Sequence, residues 1–201
     1  TSAMENQIYL GADKSKCFIS SLTVDISKYI RNKTEYGNRQ IVCVGGLIVR
    51  KGVDLLLNAL ANTDPSITLL IVGDGGEKNM LMQQVENLDL QDRVTFAGFL
   101  DGEELTKAYT ESDAFVIPTR EDCFGLVILE AMCSKLPVIA SKYADGAKDL
   151  VVDGKSGIIV DPYDSLTFAK AIEEVVLDKE KLISMGNAGF DRIKDFSFAN
   201  V

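Results

Sequence analysis

The sequence predicts an α/β domain whose mostly parallel sheet lies between two layers of helices. Two observations carry that prediction. Short apolar runs alternate with segments whose apolar residues recur at i, i+3, i+4 and i+7. The connections between them are short, as a strand–helix–strand repeat in one covered sheet requires. At 201 residues, with 46% hydrophobic and 25% charged residues, the chain suits one soluble globular domain with a full core.

Residues 5–38 read as polar and irregular, broken by Cys17-Phe18-Ile19 and by Leu22 to Ile26. Thr1-Ser2-Ala3-Met4 reads as an expression scar ahead of a start Met, and the Asn, Lys and Gly cluster from Arg31 to Arg39 as a linker. The regular pattern then begins. Ile41 to Val44 is a short apolar run ending in Gly45-Gly46, suited to a buried parallel strand, and Val53, Leu56, Leu57 and Leu60 mark the helix after it. Ile67 to Val72 reads as a strand and Leu81, Val85 and Leu88 as a helix. Val94 to Ala97 is the next strand. Its helix opens with Asp101 and Glu104 at capping-box spacing, ahead of Leu105, Ala108 and Tyr109. Ala114 to Ile117 is a strand stopped by Pro118, followed by a very apolar helix from about Phe124 to Cys133. Val138 to Ala140 and Gly157 to Val160 are further strands, and Phe168, Ile172 and Val175 mark the last clear helix. Ligands of such sheets sit outside the carboxyl ends of the strands, which directs attention to the turns after strands one to four.

Composition removes several chemistries. The chain has no His, so a Ser-His or Cys-His nucleophile, a His base and a His-ligated metal are excluded within it. A formal charge of −9 argues against a nucleic-acid module, which needs a basic face for phosphates. Cys17, Cys43, Cys123 and Cys133 show no C-x-x-C spacing and read as reduced cytosolic thiols. The longest apolar runs, such as Ile67 to Val72, are too short to cross a bilayer, and no signal-peptide pattern opens the chain.

Two glycine motifs fail. Gly154-Lys155-Ser156 resembles the end of a Walker A loop, but Asp149 stands where that loop needs Gly and the segment leads into a strand. Gly73-Asp74-Gly75-Gly76 follows a strand, yet the third Gly of a dinucleotide fingerprint falls on Lys78. A tight turn and a ligand loop both remain open for it.

The informative stretch is Pro118-Thr119-Arg120-Glu121-Asp122-Cys123-Phe124-Gly125-Leu126-Val127-Ile128-Leu129-Glu130. A charge-dense turn enters a helix whose first turn contains Gly125, where amide groups can bind an anion and Gly lets a phosphate approach. Glu130 interrupts a run that reads as buried nearly all round. Either it lies on a narrow solvent stripe, or it is a carboxylate that needs a partner. Asp122, eight residues earlier, is either a helix N-cap or a ligand group. On a continuous helix the two carboxylates would lie about 12 Å apart, a span that suits a ligand with a polyhydroxylated ring near each and phosphates between.

That stretch resembles the signature of the retaining glycosyltransferases of family 4, with the GT-B fold, in which two Glu flank seven residues containing Phe-Gly. Other pieces are similar to the family in order: Val44-Gly45-Gly46-Leu47 and Arg50-Lys51-Gly52-Val53-Asp54-Leu55-Leu56, then Leu70-Ile71-Val72-Gly73-Asp74-Gly75, Val94-Thr95-Phe96-Ala97-Gly98-Phe99, and Val151 to Gly157. The resemblance covers roughly residues 40–175. It implies a Rossmann-like three-layer domain, the C-terminal half of a GT-B enzyme. Residues 1–38 would be the scar, a remnant of the N-terminal domain and the interdomain linker, and residues 39–201 the nucleotide-sugar-binding domain.

The resemblance also implies roles. Lys51 would contact the donor diphosphate and Asp122 would face the donor sugar, the two carrying catalysis. Glu130 would hold the ribose hydroxyls, and Gly98 with Phe99 would flank the base. Phe124 and the amides of Gly125, Leu126 and Val127 would line the phosphates and sugar, with Gly46, Arg50 and Asp74 completing the donor site. No metal or cofactor is implied beyond a nucleoside-diphosphate sugar, UDP-linked rather than GDP-linked. The reaction implied is retaining transfer in polysaccharide or glycoconjugate synthesis, in the cytoplasm or peripherally at the inner membrane face. A glycan or lipid-linked acceptor would be held by the missing N-terminal domain, so the chain alone is expected to bind donor without transferring sugar. Three departures from the pattern stand out. Gly46 replaces a common Arg, which Arg50 or Arg120 could offset; Asp122 replaces the first Glu; and Asp145-Gly146 replaces a Gly-Gly pair. Competing readings are a GT-B-like epimerase or phosphorylase, and a non-catalytic nucleotide-binding module.

Overall fold

The computed structural model describes residues 2–17, 36–123 and 125–194. The expectations for Ser20 to Ile26, most of the linker, Phe124 and the last seven residues lie outside these. Helix α1 spans Ser2–Tyr9, where the sequence reads as scar and irregular chain. Ala3, Met4, Glu5 and Gln7 are good helix formers, which favours helix over irregular chain in this segment.

The chain enters the sheet through a clamp. Asp113, fully buried, accepts the N–H groups of Gly37 and Arg39 at 3.0 and 2.7 Å, fixing the end of the linker. Strand β1 (Gln40–Val44) and helix α2 (Val53–Leu60) follow, then β2 (Thr68–Val72), α3 (Lys78–Asn87), β3 (Val94–Gly98), α4 (Gly102–Glu111) and β4 (Ala114–Ile117). The second half runs α5 (Leu126–Cys133), β5 (Val138–Ser141), α6 (Asp145–Leu150), β6 (Gly157–Val160), α7 (Ser165–Val176) and α8 (Lys179–Ile193). Every strand read from the sequence forms, within a residue or two at its ends. The sheet is parallel throughout, in the order β3-β2-β1-β4-β5-β6.

Alternation along the strands divides the core. Ile41, Cys43, Leu69, Ile71, Ala114 and Val116 pack on one face with apolar residues of α2, α3 and α7. Val42, Phe115, Ile117, Val138 and Ala140 pack on the other with α4, α5 and α6. Both faces are buried, so the strands read as continuous apolar runs.

Three expectations need correction. Asp101 is the N-cap of α4 but its side chain makes no capping hydrogen bond, so the capping box does not form. Helix α8 is absent from the sequence reading because Gly186, Gly189 and many charges break up its apolar stripe. Gly186 is there for contact, since a Cβ would lie 2.2 Å from the Lys135 carbonyl oxygen. Helix α5 begins at Leu126, not near Phe124: Gly125 is its N-cap, in the left-handed region at φ 67°.

Candidate donor site at the sheet switch point

The order of strands reverses direction between β1 and β4, and the crevice outside their carboxyl ends is where such sheets bind ligands. The two loops that flank it are joined. Thr119 Oγ1 and the Arg120 N–H both donate to the Arg50 carbonyl at 2.9 Å, and the Arg50 guanidinium donates to the Glu121 carbonyl at 3.0 Å. Arg120 donates to the Val49 carbonyl and bidentately to Asp54, at 2.7 and 2.6 Å. That pairing holds the Arg120 guanidinium above its ordinary pKa. Gly52 lets the loops touch: its φ is 69°, and a Cβ there would lie 2.3 Å from the Pro118 carbonyl oxygen.

This stitching brings the two expected catalytic residues together. Lys51 ends a short 3-10 turn, Val49–Lys51, ahead of α2, and its Nζ pairs with an Asp122 carboxylate oxygen. Asp122 is only 8% exposed. Its backbone bridges to Ala144: its N–H donates to the Tyr143 carbonyl at 3.3 Å, and its carbonyl accepts the Asp145 N–H at 2.9 Å. Three loops, after β1, β4 and β5, therefore meet at Asp122, the first on its carboxylate and the last on its backbone. Asp122 is neither the N-cap of α5 nor part of that helix, so the 12 Å spacing expected along a continuous helix does not apply.

Gly125 is buried, and a Cβ on it would meet Ile128 Cδ1 at 2.9 Å. Leu126 and Val127 form the first turn of α5, where backbone N–H groups have no partner within the helix. Leu126 is 47% exposed, so the helix start opens to solvent. Glu130 takes neither of the two environments expected of it in pure form. It is half-buried between the buried Leu129 and Ala131, and the Tyr109 hydroxyl donates to its Oε2 at 2.9 Å. Burial pushes the neighbouring Cys133 thiol up to about 12, with the Glu130 charge adding to the rise.

The β2 and β3 loops flank the crevice on its other side. Gly73 donates to the Gly98 carbonyl at 2.7 Å, and Gly98 turns the chain at φ 75° to present Phe99, 76% exposed. Asp74 is exposed; its Oδ1 accepts the N–H of its neighbour Gly75 at 2.7 Å and its Oδ2 lies 3.7 Å from Lys78 Nζ at the start of α3. Gly46 is exposed beside a small cleft at the ends of β1 and β4, which Gly45, Lys51, Ile117 and Pro118 also line. Of the two arginines expected to offset Gly46, Arg120 is committed to Asp54 and Val49. Arg50 lies exposed at the same rim.

The sequence reading missed Tyr109 and the Arg120–Asp54 pair. Tyr109 carried a signal, because a Tyr at a buried helix position needs a partner for its hydroxyl. The pair joins residues 66 apart and left no local trace.

A parallel sheet with a charged switch point and an open helix start is the architecture of a nucleotide-binding half of the GT-B class. HepE of Anabaena in complex with UDP and glucose superposes on the chain with a TM-score of 0.85 at 26% identity, over 98% of this chain and 57% of HepE. Residues 25–192 match the family model described as Glycosyl transferases group 1, and the chain belongs to that family. It is 31% identical to a GDP-mannose-dependent alpha-(1-6)-phosphatidylinositol monomannoside mannosyltransferase of Mycolicibacterium smegmatis, over 82% of this chain and 46% of the relative. It is 30% identical to the sulfoquinovosyl transferase SQD2 of Arabidopsis thaliana, over 79% of this chain and 30% of that protein. The chain thus spans about half the length, or less, of the curated relatives it matches. Among the described residues, no helix is long and apolar enough to cross a membrane.

Proposed function

We propose that the chain is the donor-binding half of a glycosyltransferase that moves a sugar, with retention, from a nucleoside-diphosphate sugar to a glycan or lipid-linked acceptor. The observation that carries this reading is the Lys51–Asp122 pair beside the Gly125 start of α5. A cation held on a nearly buried carboxylate, in the loop that leads into the first-turn amides of α5, suits a pyrophosphate and stabilises the negative charge that grows as it leaves. Asp122 would meet the donor sugar, and Glu130 the ribose. The likeness of the Asp122-to-Glu130 stretch to the signature of the retaining family 4 enzymes is what supports retention.

Phe99, exposed at the end of β3, offers a stacking face for the base. Uridine is the base proposed because HepE is described with UDP, and guanosine is the critical competitor because the mycobacterial relative uses GDP-mannose. Residues 39–201 form the donor domain, and the acceptor is held by a second domain, so this chain alone binds donor without transferring sugar. Polysaccharide or glycoconjugate synthesis is the setting that fits.

Calorimetric titration with UDP, GDP and their sugar conjugates tests the reading. Binding of one nucleoside diphosphate, much weakened by Lys51→Ala, is the expected result. Failure to bind any of them, or binding indifferent to that substitution, would sink it.

A further inference from the structure

We infer that Tyr109 is the positioning residue that lets this site select a ribose, acting through Glu130. The inference rests on the reading of Glu130 as the ribose-holding carboxylate. Tyr109 lies in the last turn of α4 with none of its surface exposed, and its only polar side-chain atom donates to Glu130 Oε2 at 2.9 Å. Its ring is seated against Phe115 of β4, with centroids 6.0 Å apart at 59°. The hydroxyl is therefore fixed by the core, not by the cleft. A Glu side chain has three rotatable bonds, and a half-buried one that must meet two vicinal hydroxyls loses affinity for every rotamer it can otherwise visit. A phenol fixed by packing removes that freedom before any ligand arrives.

The donor direction matters too. A carboxylate only accepts, so with one oxygen of Glu130 taken by the phenol the other is aimed to accept from the hydroxyls of a diol. The same helix carries a second consequence. Helix α4 begins at Gly102, three residues after Phe99, so the element that grips Glu130 is continuous with the loop that presents the aromatic face. The aromatic face and the grip on Glu130 are thereby carried by one continuous segment, while Lys51 and Asp122 sit on others.

The test compares a nucleoside diphosphate with its 2′,3′-dideoxy analogue by calorimetry, using whichever of UDP or GDP the chain binds. Tyr109→Phe keeps the ring and removes one oxygen. It is expected to weaken binding of the ribonucleotide roughly tenfold and leave the dideoxy analogue unchanged, collapsing the preference between them. In a Glu130→Ala background the same substitution is expected to change nothing further. Phe115→Leu, which loosens the seat of the ring without deleting the hydroxyl, should reduce the preference less; it serves if Tyr109→Phe does not stay folded by circular dichroism. An equal loss on both ligands, or no loss on either, overturns the inference. If Glu130→Ala itself leaves the ribose preference intact, the reading of Glu130 fails and the role of Tyr109 falls with it. If Glu130→Ala abolishes the preference and Tyr109→Phe does not, the reading stands and the inference alone is wrong.

Discussion

The two rims of the crevice are built on opposite plans. On the β1/β4 rim, backbone and side-chain hydrogen bonds cross between loops far apart in sequence, and the charged pair they carry is largely shielded from water. On the β3 rim a single aromatic residue projects from a glycine turn with most of its surface in solvent. The first rim is organised before a ligand comes, which is what stabilising a fixed charge demands. The second can adjust to a flat partner, which is what stacking on a base demands. Chemistry common to every nucleoside diphosphate is met by the rigid rim, and identity is left to the adaptable one.

The largest expected effect breaks the rigid rim. Lys51→Ala strands the Asp122 carboxylate, 8% exposed, without its cation. Nucleoside diphosphate affinity should fall on the order of 100-fold, and thermal stability should drop as well, because taking the cation from a buried carboxylate is costly. Affinity within a fewfold of wild type would mean that the pair serves the fold alone. Next comes Gly125→Ala. A side chain at φ 67°, crowding Ile128, should cost about 2 kcal/mol in a denaturant titration. An unchanged midpoint would show that α5 can start differently.

A smaller effect sharpens the contrast from the other rim. Phe99→Ala should weaken nucleotide binding roughly tenfold through lost stacking while leaving the melting temperature unmoved. A fall in stability instead would make Phe99 a packing residue. Smallest of all, Arg120→Ala breaks a bidentate pair whose partner Asp54 is 39% exposed, so about 1 kcal/mol of stability is at stake. Binding should weaken about threefold as the two loops separate. Loss of binding as severe as that of Lys51→Ala would place the Arg120 guanidinium on the ligand itself.

The fold was legible because a doubly covered parallel sheet writes itself into short apolar runs and 3.6-residue stripes, and β1 to β6 carry those in full. Helix α8 was not, because it touches the core along a stripe thinned by Gly186 and Gly189. The site was legible as a set of residues but not as an arrangement. Lys51 and Asp122 announce themselves by charge near strand ends, yet their pairing depends on backbone contacts between residues about 70 apart, such as Arg120 N–H to the Arg50 carbonyl. Glu130 stood out as a lone carboxylate in an apolar helix. The phenol that answers it comes from another helix, 21 residues away, at a position whose periodicity reads only as core.

The glycines of the β1 and β2 turns have an engineering meaning. A Cβ at Gly73 would lie 2.0 Å from the Gly45 carbonyl oxygen and one at Gly75 2.3 Å from that of Leu47, so these two are spacers that admit no side chain. Gly46 is different: the nearest atom to its missing Cβ is the Asp74 carbonyl oxygen at 3.9 Å. A long cationic side chain can be grafted at Gly46 without moving either turn, beside the cleft that Lys51 lines, which makes it an address for retuning the charge at this rim.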